Sequence, residues 1–330
     1  MHIHLRIIFD KMANDEEVIS IVKKNVTRID NIPTLVSHLL PDESSSNLCA
    51  VIIPGNPGLI EYYDDFIISL FQWSGKTLPI YGVSHAGHSP ILADYSKQDE
   101  EASPECTICT GTYSLQEQIK HKQDYIENHI PPSMKIVLIG HSIGAYIALK
   151  LLKESSRAAD IVKLILLFPA IERMAATPNG RIITPIVNYF KWFAVSTVSV
   201  VSYLPTSFTR LLVRWWFSGK NTTNSVVDTT MKLLTSDASN NCLGMAYCEM
   251  QEVQDLDTEV IGNNLKKIIF YYGSSDQWAP VSYYEELKSR FPEGEIYLCQ
   301  RGFEHAFVLS ASVEVAEMVW GWIEGMAPYE

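Results

Sequence analysis

Residues 135–154 constrain the fold more tightly than any other stretch of the chain. They read Lys135-Ile136-Val137-Leu138-Ile139, an apolar β-rich run, then Gly140-His141-Ser142-Ile143-Gly144, then the helical stretch AYIALKLLKESS. Strand, tight turn and helix in that order predict a nucleophile elbow, a strained turn that lifts a serine hydroxyl to the start of a helix. Gly140 and Gly144 let the strand and the helix approach closely around that turn. Ser142 is the candidate nucleophile.

The same alternation runs through the rest of the chain. Ala50-Val51-Ile52-Ile53 is a strand candidate that ends at Pro54-Gly55-Asn56-Pro57-Gly58, and residues 61–73 then carry Tyr62, Phe66, Leu70 and Trp73 at helical spacing. Leu78–Val83, Val162–Phe168, Lys267–Tyr272 and Ile296–Cys299 read as further strands, and LQEQIKHKQDYIENHI as a helix. Strands alternating with helices predict an α/β fold: a mostly parallel central sheet with helices on both faces and ligands gathered beyond the carboxyl ends of the strands. The 330 residues are read as one domain, 1–330, with a helical insertion over 171–262.

Composition removes several function classes. With 47% hydrophobic residues, 17 Gly and 16 Pro, the chain is neither disordered nor collagen-like. Lys+Arg 26 against Asp+Glu 38 leaves a net charge of −12, which repels phosphate backbones, so no nucleic-acid partner is expected. The opening MHIHLRIIFDKMANDEE meets Asp10 and Lys11 before an apolar core of useful length forms, so no signal peptide is read there. Six scattered cysteines point to reduced thiols, and Cys106 and Cys109 form a lone C-x-x-C without the second ligand pair that zinc requires. No metal and no cofactor are expected.

A serine nucleophile needs a base within hydrogen-bond reach and an acid that fixes the base's tautomer. Asp276 lies in Gly273-Ser274-Ser275-Asp276-Gln277-Trp278, just after a late strand candidate, and His305 lies in Arg301-Gly302-Phe303-Glu304-His305 after the last one. The chain order Ser142, Asp276, His305 is the order this strand–elbow–helix architecture uses. Asp255 and Asp257 compete for the acid role, and His85, His88, His121 and His129 for the base. An oxyanion requires two preorganised N–H donors. Ile143 supplies one, and the loop Pro54–Gly58 supplies the other at Asn56, because Pro57 has no N–H to give.

The elbow GHSIG, the loop PGNPG followed by EYYDDF, the late GSSDQW and the terminal EHAF together resemble the lipid droplet-associated hydrolase family within the α/β-hydrolase fold. PGNPG is the more diagnostic of these, since GHS with a late Asp and His is shared by many lipases and esterases. The resemblance runs from about Val36 onward, with Pro54-Gly55 standing where many relatives carry His-Gly. It implies a serine esterase with Ser142, Asp276 and His305 as its triad and neutral-lipid esters, sterol esters foremost, as substrates. It also implies a role in cholesterol and triglyceride homeostasis, and a place on lipid droplets and the cytosolic face of the endoplasmic reticulum. The alternative is a lipid droplet protein of little or no activity that works through lipid or partner binding.

From Ile182 to Phe217 the chain carries only Lys191, Arg210 and Arg214 as charges and no acid. Pro185, Lys191 and Pro205 interrupt it, so a straight membrane span is not expected. Trp192, Phe193, Tyr203, Trp215 and Trp216 suit a lipid–water boundary, and Arg210 with Arg214 could meet anionic headgroups. The segment is read as a lid that inserts into a lipid monolayer, against the alternative of an ordinary lid forming the acyl wall of a pocket.

Overall fold

The computed structural model describes residues 22–42, 47–90, 111–218 and 222–326. The N-terminal segment and the Cys106/Cys109 pair lie outside the described residues.

Eight strands form one sheet in the order β1-β2-β4-β3-β5-β6-β7-β8. They are β1 (Lys23–Ile29), β2 (Ile32–Leu39), β3 (Leu48–Ile53), β4 (Ile80–Val83), β5 (Lys135–His141), β6 (Ile161–Leu167), β7 (Ile268–Gly273) and β8 (Glu295–Cys299). The pairs β1–β2 and β2–β4 are antiparallel, and every pair from β4 through β8 is parallel. The period of two along a strand divides the apolar residues between two cores. Val51, Ile53, Ile136 and Leu138 enter one, with α2 (Leu115–Asn128) and α3 (Ile143–Glu154) packed on it. Ala50, Ile52, Val137 and Ile139 enter the other, covered by α1 (Asp64–Trp73) and the C-terminal Ser312–Glu324 helix. Central strands buried on both faces explain the near-continuous apolar runs of β3, β5 and β6.

Between β6 and β7 the chain leaves the sheet for α4 (Pro178–Tyr189), α5 (Lys191–Ser202), α6 (Thr206–Trp216), α7 (Asn224–Leu233), α8 (Ser236–Glu252) and α9 (Thr258–Asn264). α8 packs against α4, α5 and α7, and α9 against α3. No helix among the described residues is long and apolar enough to cross a membrane. Pro205 precedes α6 and Lys191 opens α5, so both fall at breaks as expected, whereas Pro185 lies inside α4. The helix continues past Pro185, leaving the Arg181 carbonyl without its intrahelical donor. The Thr184 hydroxyl donates to the neighbouring Gly180 carbonyl at 2.6 Å.

The β1–β2 hairpin goes beyond the sequence reading. Its turn is Asp30-Asn31, with φ of 45° and 62°. Two successive positive φ values match the right-handed twist of a two-residue hairpin, and Asp and Asn are the non-glycine residues that tolerate them best.

Candidate active site

β5 delivers Ser142 to the carboxyl edge of the sheet with φ 54° and ψ −123°, a strained backbone for a residue with a side chain. Glycine is required on either side of it. A Cβ on Gly140 would lie 2.5 Å from the Gly144 carbonyl oxygen, and one on Gly144 would lie 2.3 Å from the Ile53 carbonyl oxygen. β3, β5 and α3 thus converge on the turn. Its own N–H donates to the Leu167 carbonyl at 3.0 Å, which ties the turn to β6.

The loops after β7 and β8 bring two more of the sequence-derived residues to this point. His305 Nε2 lies 2.8 Å from Ser142 Oγ, and His305 Nδ1 lies 2.7 Å from Asp276 Oδ2. The other carboxylate oxygen of Asp276 accepts from the N–H groups of Trp278 and Ala279, at 2.7 and 3.1 Å. These two amides fix the acid, so the Nδ1–H of His305 meets an oriented acceptor and Nε2 is left free to accept the serine proton. The rival residues do not line the cavity beside Ser142. Asp257 caps α9 and pairs with Lys153 at 2.9 Å, and Asp255 does not reach the pocket that Ser142 lines. His88 donates from Nδ1 to the Pro57 carbonyl at 2.6 Å, and burial holds it down at about 4. His85 is fully buried, His121 on α2 joins Lys122 and Thr34 of β2, and His129 sits near Asp124 at the end of that helix.

A second polar chain runs beneath the first. The Gly55 N–H donates to the Tyr63 hydroxyl at 2.8 Å, and that hydroxyl donates to His141 Nδ1 at 2.6 Å. His141 Nε2 then donates to the backbone carbonyl of His305 at 2.8 Å. Burial, then the neighbouring His305, hold His141 down at about 3, so it stays neutral and the direction of the chain is unique. Four groups far apart in the chain are locked together this way. In the sequence His141 is legible only as part of the elbow and nothing singles out Tyr63, although EYYDDF stands beside the loop it serves.

The Pro54–Gly58 loop approaches the elbow so closely that a Cβ on Gly55 would sit 2.9 Å from Ser142 Cβ. Asn56 and Ser142 line one cavity of about 180 Å³, with Gly55, Leu59, Tyr63 and His305 among its other walls. Gly55 has given its N–H to Tyr63, while the Asn56 N–H donates to no protein acceptor among the described residues. Ile143 follows Ser142 as the first residue of α3, where a helix N-terminus leaves amide hydrogens unpaired. Of the five aromatics expected at a lipid boundary, Trp216 lines the cavity beside Phe217; Trp192, Phe193, Tyr203 and Trp215 do not. Among the described residues no three His, Cys, Asp or Glu side chains gather as metal ligands would.

The Asn56 side chain turns away from the cavity. Its Nδ2 donates to the Cys242 carbonyl and to Glu249 Oε1, both at 2.9 Å. Glu249 is buried with no cation beside it among the described residues, and burial pushes its carboxyl up to about 7 against an ordinary 4.5. A folded-state value raised in this way gives stability that is complete below about 4.5 and lost as the pH rises through about 7. Glu249→Gln is therefore expected to gain on wild type, in melting temperature measured from about pH 5 to about pH 8, as the pH increases. A constant difference across that range would mean that the carboxyl is solvated.

Comparison with known proteins adds to this geometry. The family described as lipid-droplet associated hydrolase matches residues 46–308. The lipid droplet-associated hydrolase of Gallus gallus is 39% identical over 288 residues, 86% of this chain and 88% of that one. Its Homo sapiens counterpart is 36% identical over 273 residues, 82% of this chain and 83% of that one. Among solved structures, a serine hydrolase from Cycloclasticus zankles superposes with a TM-score of 0.61 at 12% identity, over 93% of this chain and 100% of that one, which is a likeness of fold. On an α/β-hydrolase fold, the chain belongs to the lipid-droplet associated hydrolase family of hydrolases.

Proposed function

We propose that this hydrolase cleaves lipid esters at the surface of lipid droplets through an acyl-enzyme on Ser142. The observation that carries the reading is the unbroken relay Ser142–His305–Asp276, beside a cavity that Trp216 and Phe217 help to line. His305 Nε2 takes the proton of Ser142 Oγ as that oxygen attacks the ester carbonyl carbon, and Asp276 holds the resulting imidazolium. The tetrahedral oxyanion rests on the N–H groups of Asn56 and Ile143. Collapse breaks the bond to the alcohol, which leaves with the proton from His305. Water, deprotonated by the same histidine, then releases the fatty acid and restores Ser142.

The helices α4, α5 and α6 act as the lid, within an insertion over 171–262. Trp192, Tyr203, Trp215 and Trp216 are 70–90% exposed, and α5 buries none of its twelve residues. An apolar face of this extent on a folded domain suits an interface with lipid. The cavity is smaller than the several hundred Å³ that encloses a drug-sized ligand, so it takes the chain segment next to the ester while the remainder stays in the lipid. A sterol ester fits this arrangement, because its ring system need not enter. The endoplasmic reticulum offers the same kind of cytosolic surface.

The test is labelling with a fluorophosphonate beside hydrolysis of a panel of steryl, glyceryl and short-chain esters. Wild type is expected to label and Ser142→Ala to remain unlabelled, with turnover greatest for steryl esters. A well-folded wild type that neither labels nor hydrolyses any member of the panel would leave a lipid- or partner-binding protein instead.

A further inference from the structure

The loop that lines the cavity opposite the elbow is held from the insertion. Cys242 and Glu249 are seven residues apart on α8, two helical turns on one face, and both Nδ2 hydrogens of Asn56 are directed at them. The next residue is braced from the same helix, since Cys242 Sγ lies 3.5 Å from the Pro57 carbonyl oxygen. Further ties come from the turn before α1 and the loop after β4: Gly55 to Tyr63, Pro57 to His88, and the Gly58 carbonyl to the His85 N–H at 2.8 Å. Among the described residues only the Asn56 side chain joins the loop to a carboxyl group, and that carboxyl is 5% exposed. A buried carboxyl that contacts no cation and no part of the triad is costly to keep. Its hydrogen bond to Asn56 is what it does in the fold.

We propose that Glu249 is a positioning residue for the oxyanion loop: through the Asn56 amide it holds the Asn56 N–H where the oxyanion forms. This rests on the acyl-enzyme reading of Ser142. α8 also packs on α4 and α5, which carry much of the exposed apolar face, so one helix braces both the lipid-facing surface and the loop at the reacting carbon. An oxyanion donor contributes only when it stands at its distance as charge develops, and a displacement of about 1 Å can cost about a hundredfold in rate. The contribution belongs to the transition state, so its loss falls on kcat and leaves KM near its original value.

The experiment is steady-state kinetics on a soluble short-chain ester. Glu249→Ala is expected to lower kcat by about 10- to 100-fold with KM changed less than about threefold. Glu249→Gln, whose amide oxygen still accepts from Asn56, is expected to stay within about threefold of wild type. Asn56→Ala keeps the backbone N–H but cuts the tether, and should match Glu249→Ala; the double variant should be no worse than either single one. If Glu249→Ala does not fold, Asn56→Ala carries the test alone. Wild-type kcat in Asn56→Ala, equal loss in Glu249→Gln and Glu249→Ala, or additive losses in the double variant would overturn the proposal. Loss of all labelling at Ser142 in wild type would instead overturn the reading on which it stands.

Discussion

Ser142→Ala is expected to lower kcat for ester hydrolysis by about a millionfold, His305→Ala by about as much, and the double variant by no more than either. The reason is that nucleophile and base act as one unit. Ser142 Oγ without His305 Nε2 at 2.8 Å is a neutral alcohol, and His305 without Ser142 has no proton to take. Asp276→Asn is the informative third variant. The substituted amide would keep an oxygen for the N–H groups of Trp278 and Ala279, so the loop would hold its shape, but it would present NH₂ where His305 Nδ1 now finds a carboxylate oxygen 2.7 Å away. The imidazole is then driven toward the tautomer with its proton on Nε2, facing the serine. About a ten-thousandfold loss of kcat is expected, with little change in melting temperature. Stopped-assay turnover on a short-chain ester measures all four proteins. Retention of wild-type turnover in Ser142→Ala would remove the acyl-enzyme from the mechanism.

What could be read in the sequence and what could not follow from how far apart the partners lie. The elbow is local: five residues between a strand and a helix, with two glycines whose Cβ positions are filled by backbone. That Asp276 and His305 come together beside Ser142 was legible because each lies in a loop at the carboxyl end of a strand and the chain order does the sorting. The β1–β2 hairpin carried a usable signal in Asp30-Asn31 between two β-rich runs. By contrast, Tyr63 and His141 are separated by 78 residues and Asn56 and Glu249 by 193. No periodicity or spacing connects such pairs. A buried glutamate in a helix otherwise rich in Asn, Ser and Met reads as surface until packing reveals that its face is turned inward.

The elbow's strain and the two polar chains belong to one design. Ser142 at φ 54° can persist only if its surroundings over-determine it. β6 holds its N–H, His141 behind it ties the His305 loop, and Tyr63 extends that tie to the loop of Gly55 and Asn56. Ser142, His305 and Asn56 each sit on a different loop, yet none can shift without breaking a buried hydrogen bond. Because the polarity of the Gly55–Tyr63–His141–His305 chain is fixed at every link, replacing Tyr63 by a residue without a hydroxyl leaves both an amide and an imidazole nitrogen unsatisfied.

Trp192→Ser, Phe193→Ser and Trp215→Ser together are expected to reduce partition onto lipid droplets by several thousandfold. Each side chain gives up about 1.5–2 kcal/mol of apolar transfer, about 5 kcal/mol for the three. All three are more than half exposed and none lines the cavity, so folding and turnover of a soluble ester should stay close to wild type. The sequence suggested that Arg210 and Arg214 add electrostatic attraction to headgroups. In the structure Arg210 pairs with Asp228, and Arg214 donates to the side-chain carbonyl of Asn224 at 3.0 Å. Both cations are thus occupied by α7, so in the proposed contact with a lipid surface the attraction falls to the aromatic and aliphatic side chains. Partition should accordingly change little as salt is raised to about 1 M, where the Debye length is about 3 Å. Flotation with droplets or triolein emulsions measures both effects. Undiminished flotation of the triple variant would mean that the exposed helices do not enter the monolayer, and a steep fall with salt would return the role to the arginines.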